Sequence, residues 1–176
     1  MRKIILIAIF VAININFAKA DKILIPMDLA QLDHLKAYGL VYWNLSNGNK
    51  VDWLLNYRGG SFMTDNSTDL VAEARIRGVS FERISDNEAA DITNMIKQND
   101  VNMDVVVLEK APRIAVYVTP GVQPWDDAVR MALEYAEIKY KTVWDEEVLR
   151  GDLKDVDWLH VHHEDFTGQY GKFWAN

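Results

Sequence analysis

The sequence predicts an α/β protein in two parts. A small N-terminal α+β region with a β-hairpin comes first, followed by a flavodoxin-like, class I amidotransferase-like parallel half-sheet. Three observations predict this. Apolar runs of strand length alternate with helix-period segments along the chain. Serine or aspartate opens several of those segments and glycine closes them. The final third reads strand, helix, strand, helix, strand, the order of a parallel sheet with right-handed crossovers.

The first twenty of the 176 residues read as a secretory signal. Arg2 and Lys3 precede the apolar run 4–13, and Ala18-Lys19-Ala20 suits a signal peptidase. Cleavage before Asp21 makes the expected product exported, periplasmic or extracellular. The whole chain carries a formal charge of -7, and losing Arg2, Lys3 and Lys19 makes the remainder more acidic. An acidic surface excludes a phosphate-backbone partner, so nucleic acid is not expected. Beyond the signal no run reaches the roughly 18 apolar residues of a membrane span. The chain has no cysteine, which excludes disulfides, thiolate metal ligands and a thiol nucleophile. Six Trp, seven Tyr and six Phe can supply a core without cross-links.

The elements follow in order. Lys22-Ile23-Leu24-Ile25-Pro26 is a first strand closed by proline. Asp28 or Gln31 opens a helix that Gly39 ends. Leu40-Val41-Tyr42-Trp43 and Val51-Asp52-Trp53-Leu54-Leu55 flank Asn47-Gly48, a strong hairpin signal that would set Trp43 beside Trp53 on paired strands. Residues 67–77 form a helix stopped by Gly78, and 79–84 alternate like a strand. Ser85-Asp86-Asn87-Glu88 is a capping box, and the helix after it sets Ala89, Ile92 and Ile96 on one face. Residues 103–108 suit a buried strand, and 109–113 a linker between regions 21–108 and 114–176.

Ile114-Ala115-Val116-Tyr117-Val118 is a strand, Thr119-Pro120-Gly121 a turn, and Pro124 the start of a helix. Trp125, Ala128, Val129, Ala132, Leu133 and Ala136 share its apolar face. Asp126 and Arg130 fall on the other side as a solvated ion pair. Thr142-Val143-Trp144 is a short strand, Asp145 caps a brief helix ending near Gly151, and 156–162 is a third strand. Three strands leave a sheet edge open. The C-terminal region therefore reads as incomplete within these 176 residues.

In an open parallel sheet the ligand lies beyond the carboxyl ends of the strands, where strand order reverses. An order 2-1-3 would bring Thr119-Pro120-Gly121 beside His162-His163-Glu164-Asp165. Three readings of that cluster remain open. His163 with Glu164 could work as a base oriented by a carboxylate, with His162 beside them. His160 and His162, on one strand face, could bind zinc with an acidic neighbour. Or the group is structural. The candidates are His162, His163 and Glu164 for catalysis, and Thr119, Gly121 and Asp165 for a small-molecule ligand. Arg58, in Arg58-Gly59-Gly60-Ser61, would serve the ligand if that loop were an anion-binding nest, and would otherwise belong to a plain turn. His34 reads as a helix-surface or packing residue. No cofactor is required by any motif.

Two further stretches, Ile25-Pro26-Met27-Asp28 with His34-Leu35-Lys36-Ala37-Tyr38-Gly39, and Trp53-Leu54-Leu55-Asn56-Tyr57-Arg58-Gly59-Gly60-Ser61-Phe62, combine with Val161-His162-His163-Glu164-Asp165-Phe166-Thr167-Gly168. Together they resemble a family of exported Bacteroidota proteins that carry the label "asparagine synthetase B". The label implies a ligase or amidotransferase. Such synthetases use an N-terminal cysteine and a Ser-Gly-Gly-x-Asp-Ser ATP loop; this chain has neither, so neither activity is expected of it. Residues 113–166 are also similar to the class I amidotransferase and ThuA-like fold, whose nucleophile follows a later strand. The resemblance implies an amidotransferase-like or hydrolase-like domain, inactive as this chain, with a non-catalytic ligand-binding or envelope scaffold module as the other reading.

Overall fold

A computed structural model describes residues 21–98 and 102–161. They form two sheets, one antiparallel with five strands and one parallel with three.

The first sheet is built from β1 (Lys22–Ile25), β2 (Val51–Leu55), β3 (Phe62–Asp65), β4 (Glu82–Ile84) and β5 (Asp104–Leu108). Its order is β4-β1-β3-β2-β5, and every pair is antiparallel. Helices α1 (His34–Ser46) and α2 (Thr68–Arg77) connect β1 to β2 and β3 to β4. This connectivity is the split βαβ arrangement of ferredoxin-like sheets, extended by α3 (Asp86–Ile96) and β5.

Both faces are covered. Ile23, Ile25, Val51 and Phe62 pack with Ala37, Leu40 and Val41 of α1 and Leu70 and Ala74 of α2. Leu24, Leu54, Met63 and Ile84 pack with Ala89 and Ile96 of α3. Side chains alternate across a strand, so a strand between two helical layers must be apolar on both sides. That is why Ile23-Leu24-Ile25 is a continuous apolar run.

Four expectations are corrected here. Asp28 and Gln31 do not open α1. Asp28 makes a local turn by accepting the Ala30 N–H at 3.0 Å. Gln31 is buried and ties Pro26 to Ser80, donating to the Pro26 carbonyl at 3.0 Å and accepting the Ser80 N–H at 2.9 Å. The cap is Asp33, which accepts the Lys36 N–H at 2.9 Å.

Gly39 does not end the helix. A Cβ there would lie 1.8 Å from the Ala136 carbonyl oxygen, so glycine serves close approach between α1 and a distant segment. The segment 40–43 is therefore helical, with Trp43 on α1, and Asn47-Gly48 is the helix's exit, Asn47 N–H reaching the Trp43 carbonyl at 3.1 Å.

The hairpin exists one element later, between β2 and β3, where Trp53 faces Phe62 and their rings stack at 6.1 Å. Finally, β5 is an edge strand rather than a buried one. It pairs along its whole length with β2 and with no other described strand, and Val107 is 52% exposed.

Other expectations hold as stated. Ser85 and Glu88 form the capping box, each side chain meeting the other's backbone N–H. Gly78 closes α2 with φ 70°. The parallel sheet contains β6 (Ile114–Tyr117), β7 (Tyr140–Val143) and β8 (Trp158–Val161) in the order β7-β6-β8, the 2-1-3 order on which the candidate site is conditioned. Helices α4 (Ala128–Tyr135) and α5 (Asp145–Arg150) make the connections. Ile114, Val116, Val118 and Leu133 form its core, with Tyr42 of α1 packed against them.

The two parts touch closely. Residues 109–113 carry no helix or strand. The Tyr42 hydroxyl donates to the carbonyls of Pro112 and Lys139 at 3.3 Å each. Glu137 accepts Lys36 at 2.7 Å and Arg77 at 3.0 Å, and Tyr135 donates to Asp33.

Candidate functional site

The carboxyl ends of β6 and β7 define the site. Parallel pairing sets Tyr117 opposite both Val143 and Val161, so all three strands end level. Past that line the Val118 N–H still bonds the Val143 carbonyl at 3.0 Å. The chain then turns at Thr119-Pro120-Gly121-Val122. Proline followed by a glycine at φ 88° is the pairing a type II turn requires, and the Val122 N–H closes it on the Thr119 carbonyl at 3.3 Å.

The polypeptide next makes a short 3-10 turn, Pro124–Asp126, before α4. Asp127 is the true N-cap of that helix: its Oδ1 accepts the N–H groups of Val129 and Arg130 at 2.8 and 3.1 Å. The extra turn takes Trp125 off the expected apolar face and leaves it 70% exposed.

Arg130 departs further from its expected place. It is not solvated; it is 7% exposed. Its Nη1 donates to the Val122 carbonyl at 2.8 Å, and its Nε to the Tyr140 hydroxyl at 3.4 Å. That hydroxyl in turn donates to Glu134 at 2.7 Å. Burial, then the Glu134 carboxylate, push the Tyr140 phenol up from its usual range.

Opposite, Glu147 in the first turn of α5 accepts the Trp144 N–H at 2.9 Å. Tyr117 stacks on Trp144 at 4.7 Å and donates to Asp145. Between these walls lies a hollow of about 230 Å³ lined by Thr119, Gly121, Arg130, Thr142, Trp144 and Glu147 among others.

Of the sequence-derived candidates, Thr119 and Gly121 line this hollow. His162, His163, Glu164 and Asp165 lie outside the described residues. His160 is half-buried on β8, edge-on to Trp158 at 6.3 Å. Among the described residues no three His, Asp or Glu side chains gather as a metal site.

Arg58 sits in the other sheet, in the β2–β3 turn. Its Nε donates to Asp28 at 2.8 Å and its Nη1 to Glu82 at 2.8 Å. These bonds hold Asp28 below the usual carboxylate range, and Arg58 above its own. The Gly60 and Ser61 amides both donate to the Tyr57 carbonyl, at 3.0 and 2.9 Å. With amides and guanidinium engaged internally, the loop acts as a hairpin turn clasped to the β1–α1 connection. A Cβ at Gly59 would meet the Met27 carbonyl oxygen at 2.3 Å, which is what keeps that clasp tight. His34 lies exposed at the start of α1, with its Nε2 3.1 Å from the Met27 carbonyl oxygen.

Sequence reasoning missed Arg130 and Thr142. Helix periodicity places Arg130 opposite the apolar stripe, and in the fold its guanidinium meets the Val122 carbonyl and the Tyr140 side chain, partners from outside its helix. A second hollow, of about 1010 Å³, lies between α1, the β5 edge and β8; Tyr38, Trp53, Phe62, Leu133 and Trp158 make it apolar. Compared with family models, with curated proteins and with solved structures, the chain matches none.

Proposed function

We propose that this is an exported α/β protein that binds a small molecule at the carboxyl ends of β6 and β7. One observation carries the reading. The hollow stands beyond the carboxyl ends of β6 and β7, the end of an open parallel sheet at which ligands bind, on the β7 side of β6 rather than in the β6–β8 crevice where strand order reverses. It combines two threonines, a glycine turn and two charged side chains, the few convergent polar groups that orient a small ligand.

The family resemblance supports placing the site in an amidotransferase-like or hydrolase-like domain, with His162, His163 and Glu164 as its acid–base groups. Within these 176 residues there is no thiol nucleophile, so binding rather than turnover is the activity expected of this chain. Asparagine formation by the purified protein above a buffer control would overturn that.

Two experiments test the reading. A screen of small polar metabolites against the full chain, followed by backbone amide NMR, should find a ligand that shifts Thr119, Gly121 and Thr142. Ligands that shift only residues of the antiparallel sheet would refute the assignment. For export, protein recovered from the envelope of an expressing cell should begin at Asp21; recovery of Met1 on cytosolic protein would remove the compartment from the proposal.

A further inference from the structure

The ligand-binding reading leaves open what kind of molecule the hollow takes, and Arg130 answers it. A guanidinium is always charged and carries five N–H donors. Burying one without a counter-charge is costly. Here the side chain is more than nine-tenths buried, and its two protein partners, a carbonyl and a phenol, are both neutral.

Three nearby acids each bind another group. Asp127 Oδ1 accepts backbone N–H groups of α4, Glu134 accepts the Tyr140 hydroxyl, and Glu147 accepts the Trp144 N–H and lies 3.6 Å from Arg150. Neither Glu134 nor Glu147 forms an ion pair with the Arg130 guanidinium. Nη2 has no hydrogen bond to a described residue, yet it is not among the fully enclosed polar atoms that lack one. It is therefore not fully enclosed, and Arg130 is one of the residues that line the hollow.

We propose that the hollow is an oxyanion site, in which Arg130 Nη2, with the Thr119 and Thr142 hydroxyls, receives a carboxylate or phosphate group of a small ligand. Three features define the ligand further. A planar guanidinium suits the paired oxygens of either group better than an ammonium does. The volume of about 230 Å³ is below the range of drug-sized sites, so the ligand is small. Glu147 on the opposite wall repels a second negative charge, which favours a monoanion. The proposal rests on the ligand-binding reading above and deepens it.

The test is an NMR titration of the full-length chain with sodium acetate and, separately, inorganic phosphate. Ionic strength is held constant with sodium chloride, and glycerol serves as a neutral probe. The expected result is saturable movement of the Thr119, Gly121, Val122 and Arg130 amides and of the Arg130 Nε–H with acetate, phosphate or both. Which of the two binds tighter tells carboxylate from phosphate. Arg130→Gln should weaken binding about thirtyfold or more, and Arg130→Lys should weaken it less.

The wild-type titration stands even if Arg130→Gln does not fold. Amides unmoved by either anion, or moved equally in a folded Arg130→Gln protein, would overturn the oxyanion assignment. In that case movement with glycerol would leave the ligand-binding reading standing. No movement with any of these probes, and none in the metabolite screen, would remove both.

Discussion

The two sheets of this protein differ in how much apolar surface they bury and in where they keep their buried polar groups. The antiparallel sheet lies between two helical layers, α1 and α2 on one face and α3 on the other, and its central strands are apolar on both. Among the described residues the parallel sheet has three strands and a smaller buried cluster, against which Tyr42 of α1 packs. Yet the buried arginine and the polar hollow belong to the smaller sheet. The difference teaches that a chain can place its costly polar groups where little apolar packing is at stake. The larger core holds most of the buried apolar side chains, while the smaller one carries the proposed site.

The sharpest way to break this comparison is Leu54→Ala. Leu54 is wholly buried under α3, and the cavity left behind should cost about 2–5 kcal/mol. Urea unfolding followed by tryptophan fluorescence would read it. If Leu133→Ala in the parallel half cost more, the assignment of stability to the antiparallel sheet would be wrong.

Gly39→Ala should cost about 1–3 kcal/mol by overpacking, because the new methyl meets a backbone carbonyl that no rotamer change can move. The loss should show as faster amide exchange in α4 with β1 and β3 still protected. Equal loss in both sheets would mean that they unfold as one unit. Next comes Asp127→Ala, which removes the cap of α4 and should cost about 1 kcal/mol. It should also disturb the Arg130 Nε–H resonance, since the cap and the guanidinium share one helical turn.

The smallest effect is that of pH on the contact between the two parts. Asp33 is held below the usual carboxylate range first by the Lys36 N–H and then by the Tyr135 hydroxyl. Glu137 is held low first by the Lys36 ammonium, with Arg77 adding to it. Carboxyls depressed in the folded state contribute stability above their unfolded pKa of about 4, and that contribution fades as pH falls below it. Acidification from pH 6 to 3 should loosen the α1–α4 contact. The double variant Asp33→Asn, Glu137→Gln should be less stable at pH 6 and show a flatter response. An unchanged acid response in the variant would show that other carboxyls govern it.

Much of this architecture was legible in the sequence, and the reasons are local. Ser85 and Glu88 satisfy each other across three residues, Gly78 ends its helix within one turn, and the C-terminal strands and helices alternate at short spacing, so their order could be read directly. What was not legible depended on partners far along the chain. Gly39 looks like a helix end until Ala136 comes to rest against it. Asn47-Gly48 signals a hairpin by composition, but the helix face made by Ala37, Leu40, Val41 and Leu45 has a core to bury and overrides it. Arg130 reads as a surface charge until the Val122 carbonyl and the Tyr140 side chain meet it. At the candidate site, Thr119 and Gly121 read from the sequence as neighbours of the β8 end, and in the structure they line a hollow on the β7 side, together with an Arg130 that helix periodicity places at the surface.

The position of β5 has a consequence for the order in which the molecule can form. Strands β1, β3 and β4 find one another within residues 22–84, but β2 receives its outer neighbour only from residues 104–108. Since pairing across long sequence separations is slow and a chain emerges amino end first, a nascent molecule passes through a stage with four strands in register. During that stage the edge of β2, carrying Val51, Trp53 and Leu55, stands open as a template for any other extended chain. The last-made strand of the sheet is thus also its seal: Asp104–Leu108 converts a sticky intermediate into a finished one, and its arrival sets how long the young protein needs shelter from its neighbours.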